Sequence, residues 1–275
     1  MIASVEARKG GNVPALSRED FMVYQGKERL SVTEAVPLRG NNASLDLLVL
    51  LDDGSSWTLG SELADLRRFI EAQPASTAVG LGYMRNGTVD TVARLNRDHA
   101  GAAKALRLPF GLSSSPWLSL SELVKRWPAG SARREILMVG SGFDPLGGDG
   151  IVNPYLDAAI EDAQRAGIVV YAIYTPGAGH SGHSYWRQNW GQNHLAELAE
   201  ETGGEAYMLG FGAPVSIAPY LAEVTERLTH QYRLSLQAKA ERKAGLRSIR
   251  LTTEVPNAEI VAASKIYVLA NPARR

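Results

Sequence analysis

Short apolar runs alternate with amphipathic segments along most of this 275-residue chain, and this alternation restricts its fold more than any other feature. In the amphipathic segments, apolar residues recur every three or four positions, as they do on the buried face of a helix. Three such stripes are Leu63, Leu66, Phe69 and Ile70, then Leu156, Ala159, Ile160 and Ala163, and finally Ile217, Tyr220, Leu221, Val224 and Leu228. The apolar runs have the length of buried strands and lie at 45–51, 77–84, 136–139, 168–174 and 206–209.

Strands that alternate with helices are typical of a mostly parallel sheet that is covered on both faces. The run 88–95 follows Arg85-Asn86-Gly87, and an Asn-Gly pair between two apolar runs indicates a hairpin. This run therefore adds one antiparallel edge strand. We predict an α/β domain over residues 41–229, with a Rossmann-like, six-stranded sheet and helices on both faces.

The two ends of the chain lack this alternation. Residues 1–40 and 230–275 contain short strand-like runs and turns, and neither end is long enough to form a core alone. We expect the two ends to pair into one small, discontinuous β-sandwich, into which the α/β domain is inserted.

Composition excludes several classes of function. The 29 basic and 29 acidic residues are interspersed and give no net charge, so nucleic acid is not an expected partner. The chain has no cysteine, which excludes disulfides, zinc–thiolate sites and thiol nucleophiles. No run approaches the ~18 apolar residues of a membrane span, so no span is expected in the chain.

The first strand of the predicted sheet is followed by Asp52-Asp53-Gly54-Ser55-Ser56. In open parallel sheets, ligands bind beyond the carboxyl ends of the strands. Aspartate and serine side chains at that edge supply the oxygen ligands that magnesium prefers. We therefore expect the binding surface of the chain to include this segment.

This segment resembles the Asp-x-Ser-x-Ser metal-ion-dependent adhesion motif of von Willebrand factor type A domains, with Gly54 where the motif has its first serine. Three further segments resemble bacterial von Willebrand factor A-related proteins of the kind abundant in Acidobacteria. They are 13–21 (VPALSREDF), 195–204 (LAELAEETGG) and 230–234 (HQYRL), and the resemblance covers nearly the whole chain.

The resemblance implies a set of metal ligands that this sequence only partly retains. The first aspartate and second serine of the motif correspond to Asp52 and Ser56, and the family's threonine falls near Ser115. The family's second aspartate falls on Ser141 in Gly140-Ser141-Gly142. One hydroxyl and one carboxylate are therefore missing, and we expect a degenerate adhesion site that holds no metal.

Other polar groups give weaker signals. His180, His183 and His194 lie in or beside a predicted polar loop at 177–191, and surface histidines in a solvated loop are favoured over a zinc site. Trp186 and Trp190 in the same loop either anchor a partner or cover the end of the sheet. The run Ser113-Ser114-Ser115 lacks the Gly-x-Ser-x-Gly context of a nucleophile. We therefore do not expect an enzyme.

Three functional hypotheses follow. The first is a non-enzymatic protein-interaction or adhesion module that works without metal, through a vestigial site of Asp52, Gly54, Ser55, Ser56, Ser115 and Ser141 and through the tryptophan loop. The second is adhesion that depends on magnesium or manganese, held by Asp52, Ser56 and Asp144. The third is a structural module of an envelope assembly. The resemblance also implies a secreted, periplasmic or cell-surface protein whose signal segment is not in this chain, with a cytoplasmic protein as the alternative.

Overall fold

A computed structural model describes residues 1–56, 60–112, 114–147, 150, 152–179, 184–208, 210–212, 215–237 and 243–270. The strands are β1 (Ile2–Ala7), β2 (Met22–Gln25), β3 (Glu28–Pro37), β4 (Leu45–Asp52), β5 (Thr77–Arg85), β6 (Thr88–Asn96), β7 (Arg133–Gly140), β8 (Val169–Tyr174), β9 (Ala206–Tyr207), β10 (Gln231–Gln237), β11 (Gly245–Ser248), β12 (Arg250–Thr252), β13 (Ala258–Ala262) and β14 (Lys265–Val268). The helices are α1 (Gly60–Glu71), α2 (His99–Lys104), α3 (Pro116–Arg126), α4 (Pro154–Ala166), α5 (Tyr185–Thr202) and α6 (Ala218–Thr229).

The middle of the chain forms one six-stranded sheet with the strand order β6-β5-β4-β7-β8-β9. Strands β5, β4, β7, β8 and β9 are parallel to one another, and β6 pairs with β5 in the antiparallel direction through the hairpin at Asn86 and Gly87. The predicted mostly parallel, six-stranded sheet with one antiparallel edge is thereby confirmed.

Helices cover both faces of this sheet because its central strands are apolar on both sides. Leu47, Val49 and Leu51 of β4 pack into a core that includes side chains of α1, α2 and α6. Leu48 and Leu50 of the same strand pack into a second core with side chains of α3, α4 and α5. Strand β4 is therefore buried on both faces, as a central strand of a parallel sheet is expected to be.

Helix α5 corrects one prediction. Residues 177–191 were expected to form a polar loop, but α5 begins at Tyr185, so Trp186 and Trp190 lie on a helix. The aromatic residues in the first turns of α5 are not buried, and the buried face of the helix comprises Gly191, His194, Leu195, Leu198, Ala199 and Thr202. The amino-terminal turns therefore lack the apolar stripe by which a helix is detected in sequence. The predicted surface position of His194 was also wrong, whereas His180 and His183 lie outside the described residues.

The two chain ends pair as expected. They form a second, antiparallel sheet with the order β12-β2-β3-β10-β1-β13, in which β1 lies between β10 and β13. Strands β11 and β14 form a separate two-stranded ribbon. The core of this region includes Phe21 and Tyr232, whose ring centres are 5.2 Å apart. A β-sandwich in the strict sense, and domain boundaries at residues 40 and 230, stay predictions.

A buried polar cluster joins the two sheets. The side-chain amide of Gln231, on β10, donates hydrogen bonds to Glu135 of β7 at 3.2 Å and to the hydroxyl of Tyr171 of β8 at 3.1 Å. Glu135 also lies 3.1 Å from Nε of Arg133. Burial raises the pKa of Glu135, although Arg133 and Gln231 act in the opposite direction.

Within the described residues, the structure contains no helix that is both long enough and apolar enough to cross a membrane.

Candidate functional site

The candidate site lies at the carboxyl end of the parallel sheet. We call the rim the described residues of the segments 52–56, 105–115, 140–153, 175–184 and 208–217. Four of these segments follow β4, β7, β8 and β9, and the fifth precedes α3. The backbone N–H of Leu112 donates to the carbonyl of Asp53, and the N–H of Ala178 donates to that of Gly54. The segments 105–115 and 175–184 therefore meet at the end of β4.

Asp52 occupies the centre of the rim and is buried, with 1% of its surface exposed. Its Oδ1 accepts hydrogen bonds from the backbone N–H of Gly54 at 2.8 Å and from the hydroxyl of Ser114 at 2.5 Å. Its Oδ2 accepts from the backbone N–H of Ser141 at 3.3 Å and from the hydroxyl of the same residue at 3.2 Å. Both carboxylate oxygens are therefore surrounded by protein donors.

Burial raises the pKa of Asp52, because removal of water disfavours the charged form. Hydrogen bonds from Ser114, Gly54 and Ser141 lower the pKa and only partly compensate. The negative charge of Asp52 is thus stabilised by neutral donors, and no cationic side chain contributes to the shift.

Gly54 stands close to the neighbouring segment. A Cβ atom at this position would lie 2.9 Å from the carbonyl oxygen of Leu112 and 3.1 Å from Oδ1 of Asp52. The backbone oxygen can move only with its whole segment. A serine at position 54 would therefore require the rim to open, and the glycine allows the segments to approach one another.

A second buried carboxylate lies beside Asp52 in the rim. The hydroxyl of Ser115 donates to Oδ1 of Asp144 at 3.0 Å, and the backbone N–H of Leu146 donates to the same atom at 2.9 Å. Asp144 is 1% exposed. Its Oδ2 is buried and accepts no hydrogen bond from the described residues.

Asp53 forms an ion pair that the sequence did not indicate. Its Oδ1 accepts from Nη1 of Arg107 at 2.8 Å and from the N–H of Phe110 at 2.9 Å, and its Oδ2 accepts from Nη2 of Arg107 at 3.3 Å. The guanidinium carbon of Arg107 lies 3.7 Å from the ring centre of Tyr83 and 3.8 Å from that of Phe110. This arrangement holds Arg107 in a fixed orientation at the rim.

The remaining motif serines connect the rim to the segment after β8. The hydroxyl of Ser55 lies 3.2 Å from that of Thr175, and both residues are buried. The backbone N–H of Ser56 donates to the carbonyl of Pro176 at 2.9 Å. These contacts place Ser55 and Ser56 at the boundary between the first and fourth segments of the rim.

The amino-terminal turns of α5 form an aromatic cluster next to the rim. The ring centre of Tyr185 lies 5.5 Å from that of Trp186 and 5.1 Å from that of Phe211, and Trp186 lies 6.4 Å from Trp190. Trp186 is 64% exposed. The helix is held against the rim at Gly191, where a Cβ atom would lie 2.1 Å from the carbonyl oxygen of Ser141.

Exposed apolar side chains are concentrated around the rim. Among the described residues, two large apolar side chains that are exposed lie elsewhere, namely Val92 and Leu269. The others lie in the rim or in the first turn of the helix that follows a rim segment: Leu108, Phe110, Leu112, Leu146, Val152, Tyr155, Tyr185, Trp186 and Val215. Concentrated apolar exposure of this kind marks interaction surfaces.

A cleft of about 220 Å³ opens between the rim segments. Its lining comprises Asp52, Gly54, Gly111, Leu112, Ser114, Ser141, Phe143, Pro145, Gly177 and Ala178. A larger cleft, of about 310 Å³, lies beside Glu6 and Arg227 and is not lined by any residue of the predicted site. The rim is the stronger candidate site, because buried polar side chains such as Asp52 and Ser141 line its cleft.

The structure brings together some of the predicted site residues and not others. Asp52, Gly54 and Ser141 meet in one hydrogen-bonded group, but the third hydroxyl of that group comes from Ser114, one residue before the predicted Ser115. Ser115 binds Asp144 instead. The ion pair of Asp53 with Arg107 joins residues 54 positions apart, and no spacing rule predicts it.

The rim offers few free ligands for a divalent ion. Among the described residues, no three acidic or histidine side chains come close enough together to hold a metal. The oxygens of Asp52 already accept four hydrogen bonds, and position 54 offers no hydroxyl. Because magnesium requires about six oxygen ligands, this donor set does not fit it.

No protein-family model and no curated protein matches this chain. Solved structures do resemble it. The pilus adhesin SpaC from Lactobacillus rhamnosus GG superposes with a TM-score of 0.52 at 10% identity, over 90% of this chain and 41% of its own. A von Willebrand factor type A structure from Catenulispora acidiphila gives 0.47 at 10% identity, over 84% and 67%.

The vWF domain of the type V pili tip protein Mfa5 from Porphyromonas gingivalis gives a TM-score of 0.47 at 11% identity, over 67% of this chain and 94% of its own. This chain spans less than half the length of SpaC. The match to SpaC covers too much of the chain to be confined to residues 41–229, so it includes part of the paired ends. At these identities the likeness concerns the fold alone, and this chain shares its fold with SpaC.

Proposed function

We propose that this chain is a non-enzymatic protein-interaction or adhesion module of the von Willebrand factor type A-like kind, and that the rim is its contact surface. In this proposal the rim is a degenerate metal-ion-dependent adhesion site. Gly54 and Ser141 replace two of its ligands, and binding occurs without a metal ion. The partner is a protein.

The observation that carries this proposal is the hydrogen-bonded environment of Asp52. Four donors from Gly54, Ser114 and Ser141 satisfy its carboxylate. A divalent ion would have to displace these donors and find further ligands at a site where Gly54 packs against the backbone of Leu112. The free energy of such a rearrangement opposes metal binding.

Burial of the polar groups supports a non-enzymatic role. A nucleophilic serine needs an accessible hydroxyl and an adjacent base that a third group orients. Ser114, Ser115 and Ser141 are each at most 7% exposed, and their hydroxyls donate to buried carboxylates. His194, the described histidine of the α5 region, is buried with its ring 6.1 Å from that of Trp117.

One observation favours a second candidate, adhesion that depends on magnesium or manganese. Oδ2 of Asp144 is buried and receives no hydrogen bond from the described residues. A buried carboxylate oxygen without a donor is costly, and a cation would satisfy it. In this candidate, Asp52, Ser56 and Asp144 hold the ion.

We further propose that the protein acts outside the cytoplasm, in a secreted, periplasmic or cell-surface location. The resemblance of its motifs to exported proteins supports this location, as does the fold it shares with a pilus adhesin. A cytoplasmic location is the alternative.

Affinity capture tests the role of the rim. The immobilised full chain would capture proteins from extracts of the source cells, in parallel with a Trp186→Ser variant and a Val92→Ser control. Trp186 and Val92 are both exposed, but Val92 lies on β6, away from the rim. We expect Trp186→Ser to lose the captured protein, whereas Val92→Ser and addition of a chelator leave capture unchanged.

Three other outcomes are informative. Loss of capture in the chelator would favour the metal-dependent candidate. Equal capture by wild type and Trp186→Ser would contradict the rim as contact surface and favour a structural module of an envelope assembly. A catalytic turnover that Asp52→Ala abolishes would contradict the non-enzymatic role.

A further inference from the structure

We infer that Arg107 is a carboxylate-recognition residue of the rim, and that the rim selects partner segments in which a large apolar side chain lies next to an aspartate or glutamate. This inference rests on the proposed function, since it names the chemistry of the partner that the same surface binds.

The charged residues of the rim are distributed unevenly between its interior and its surface. The rim, as described, contains four charged residues: Asp52, Asp53, Asp144 and Arg107. The three carboxylates are each at most 1% exposed. The side chain of Arg107 is 25% exposed. A partner that docks on the described part of the rim therefore meets the partly exposed guanidinium group of Arg107, whereas the three carboxylates described there are inaccessible.

The helices that flank the rim carry charges of both signs. Asp157 is exposed in the first turn of α4, and the guanidinium carbon of Arg187, on α5, lies 5.0 Å from the ring centre of Phe143. These two charges are of opposite sign and by themselves favour neither an acidic nor a basic partner.

Arg107 retains donors for a second carboxylate. A guanidinium group has five N–H donors in a planar fork. Nη1 donates to Asp53 and to the carbonyl of Leu108, and Nη2 donates once to Asp53. Within the described part of the chain, no acceptor takes the hydrogen of Nε or the second hydrogen of Nη2, and these two hydrogens form the side-on fork that binds a carboxylate in bidentate fashion.

The orientation of this fork is fixed before a partner arrives. Asp53 holds one edge of the guanidinium group, and the rings of Tyr83 and Phe110 lie within 4 Å of its central carbon. Since the side chain is already ordered, binding costs little further conformational entropy. Asp53 already pairs with the single positive charge of Arg107, so the partner's carboxylate would be recognised through the hydrogen bonds of the second edge of the guanidinium group.

The apolar half of the preference comes from the surroundings of Arg107. Phe110, which stacks on the guanidinium group, is itself exposed, and Leu108 and Leu112 on the same segment are exposed as well. An apolar partner side chain would remove this surface from water next to the bound carboxylate. Apolar contacts and bidentate arginine contacts together are typical of interface hot spots.

Peptide selection tests the inference, because the composition of the selected peptides is what the experiment measures. A random-peptide library displayed on phage would be selected on the immobilised full chain, and peptides that bind the rim would be identified by loss of binding to Trp186→Ser or Phe110→Ser. A double variant, Asp53→Asn/Arg107→Gln, would be selected in parallel. It removes both charges together, so that neither is left buried without its partner.

We expect the wild-type chain to enrich peptides in which Asp or Glu adjoins Phe, Leu, Ile, Met or Trp. The double variant should retain apolar enrichment and lose the acidic preference, and individual acidic peptides should bind it about tenfold more weakly. Enrichment of basic or uncharged peptides by wild type, or an unchanged acidic preference in the double variant, would overturn the inference. Absence of any rim-dependent peptide would instead overturn the proposed function.

Discussion

A carboxylate that is buried without a cation is costly unless hydrogen bonds replace its lost water. At Asp52, hydrogen bonds from two backbone N–H groups and two hydroxyls replace the lost water. The glycine at position 54 makes the arrangement possible, because a side chain there would meet the carbonyl oxygen of Leu112. The absence of a hydroxyl at position 54 and the close approach of the rim segments around Asp52 thus both follow from this glycine.

The raised pKa of Asp52 predicts how its charge affects stability. Below the pKa of an unfolded aspartate, about 3.9, Asp52 is protonated in both states. Between that value and the higher folded pKa, the folded state holds the proton more tightly, so the free energy of unfolding falls as pH rises. Above the folded pKa the contribution of Asp52 is constant.

We therefore predict that the difference in free energy of unfolding between wild type and Asp52→Asn falls as pH rises above about 4, by up to about 1.4 kcal/mol per pH unit. Urea denaturation at a series of pH values measures it. Ser114→Ala, which removes a hydrogen bond that lowers the pKa, should extend the falling region to higher pH. A difference that rises over the same range would mean that the pKa of Asp52 is lowered.

At the scale of elements, α5 positions the aromatic cluster because it packs closely on the rim. Gly191 contacts the backbone of Ser141, and Leu195, Leu198 and Ala199 continue the buried face toward the carboxyl end of the helix. The first turns of the helix therefore project beyond the sheet. This position leaves Tyr185 and Trp186 exposed next to the cleft.

Gly191→Ala tests this contact, because two effects of the substitution oppose each other. Alanine is favoured over glycine inside a helix by about 1 kcal/mol. The new methyl group, however, would lie 2.1 Å from the carbonyl oxygen of Ser141, and overpacking of this kind costs about 1–3 kcal/mol. We predict a net decrease in the free energy of unfolding, measured by urea denaturation.

Gly212→Ala is the matched control, because a Cβ atom at Gly212 has no neighbour within 4 Å. Its free energy of unfolding should equal that of wild type or exceed it. An increase in stability for Gly191→Ala would show that α5 does not pack on the rim as described.

The strands of the parallel sheet could be predicted from sequence because apolar runs of this length are typical of buried strands. Helices α1, α4 and α6 could be predicted because each has an apolar stripe that packs into one of the two cores. The amino-terminal half of α5 could not, since Trp186 there is exposed and the first residue of its buried face is Gly191, which has no apolar side chain to mark it. In the rim, the sequence indicated Asp52 and Ser141, whereas Ser114 and Arg107 reach their partners only through tertiary packing.

At the scale of the whole molecule, the two sheets are joined by polar groups that water does not reach. Gln231 bridges Glu135, Tyr171 and Ser4. Closer to the surface, Arg227 forms ion pairs with Glu6 of β1 and with Glu205, which precedes β9. The paired chain ends are therefore connected to the α/β domain through specific side chains on both sheets.

Gln231→Ala is predicted to lower the free energy of unfolding by about 1–3 kcal/mol, because it removes a buried donor to Glu135 and to Tyr171. Gln237→Ala, at the exposed end of the same strand, is the control and should change the value by less than about 0.5 kcal/mol. Equal effects of the two substitutions in chemical denaturation would indicate that the polar cluster does not couple the sheets.

Calorimetric titration of the full chain with magnesium and with manganese tests most directly whether the rim is free of metal, as its proposed mode of protein binding requires. Asp52→Ala, which lacks the central carboxylate, provides the baseline. We predict heats for the wild-type chain that match this baseline for both ions. Saturable binding at roughly millimolar affinity or tighter, present in wild type and absent in Asp52→Ala, would contradict the account.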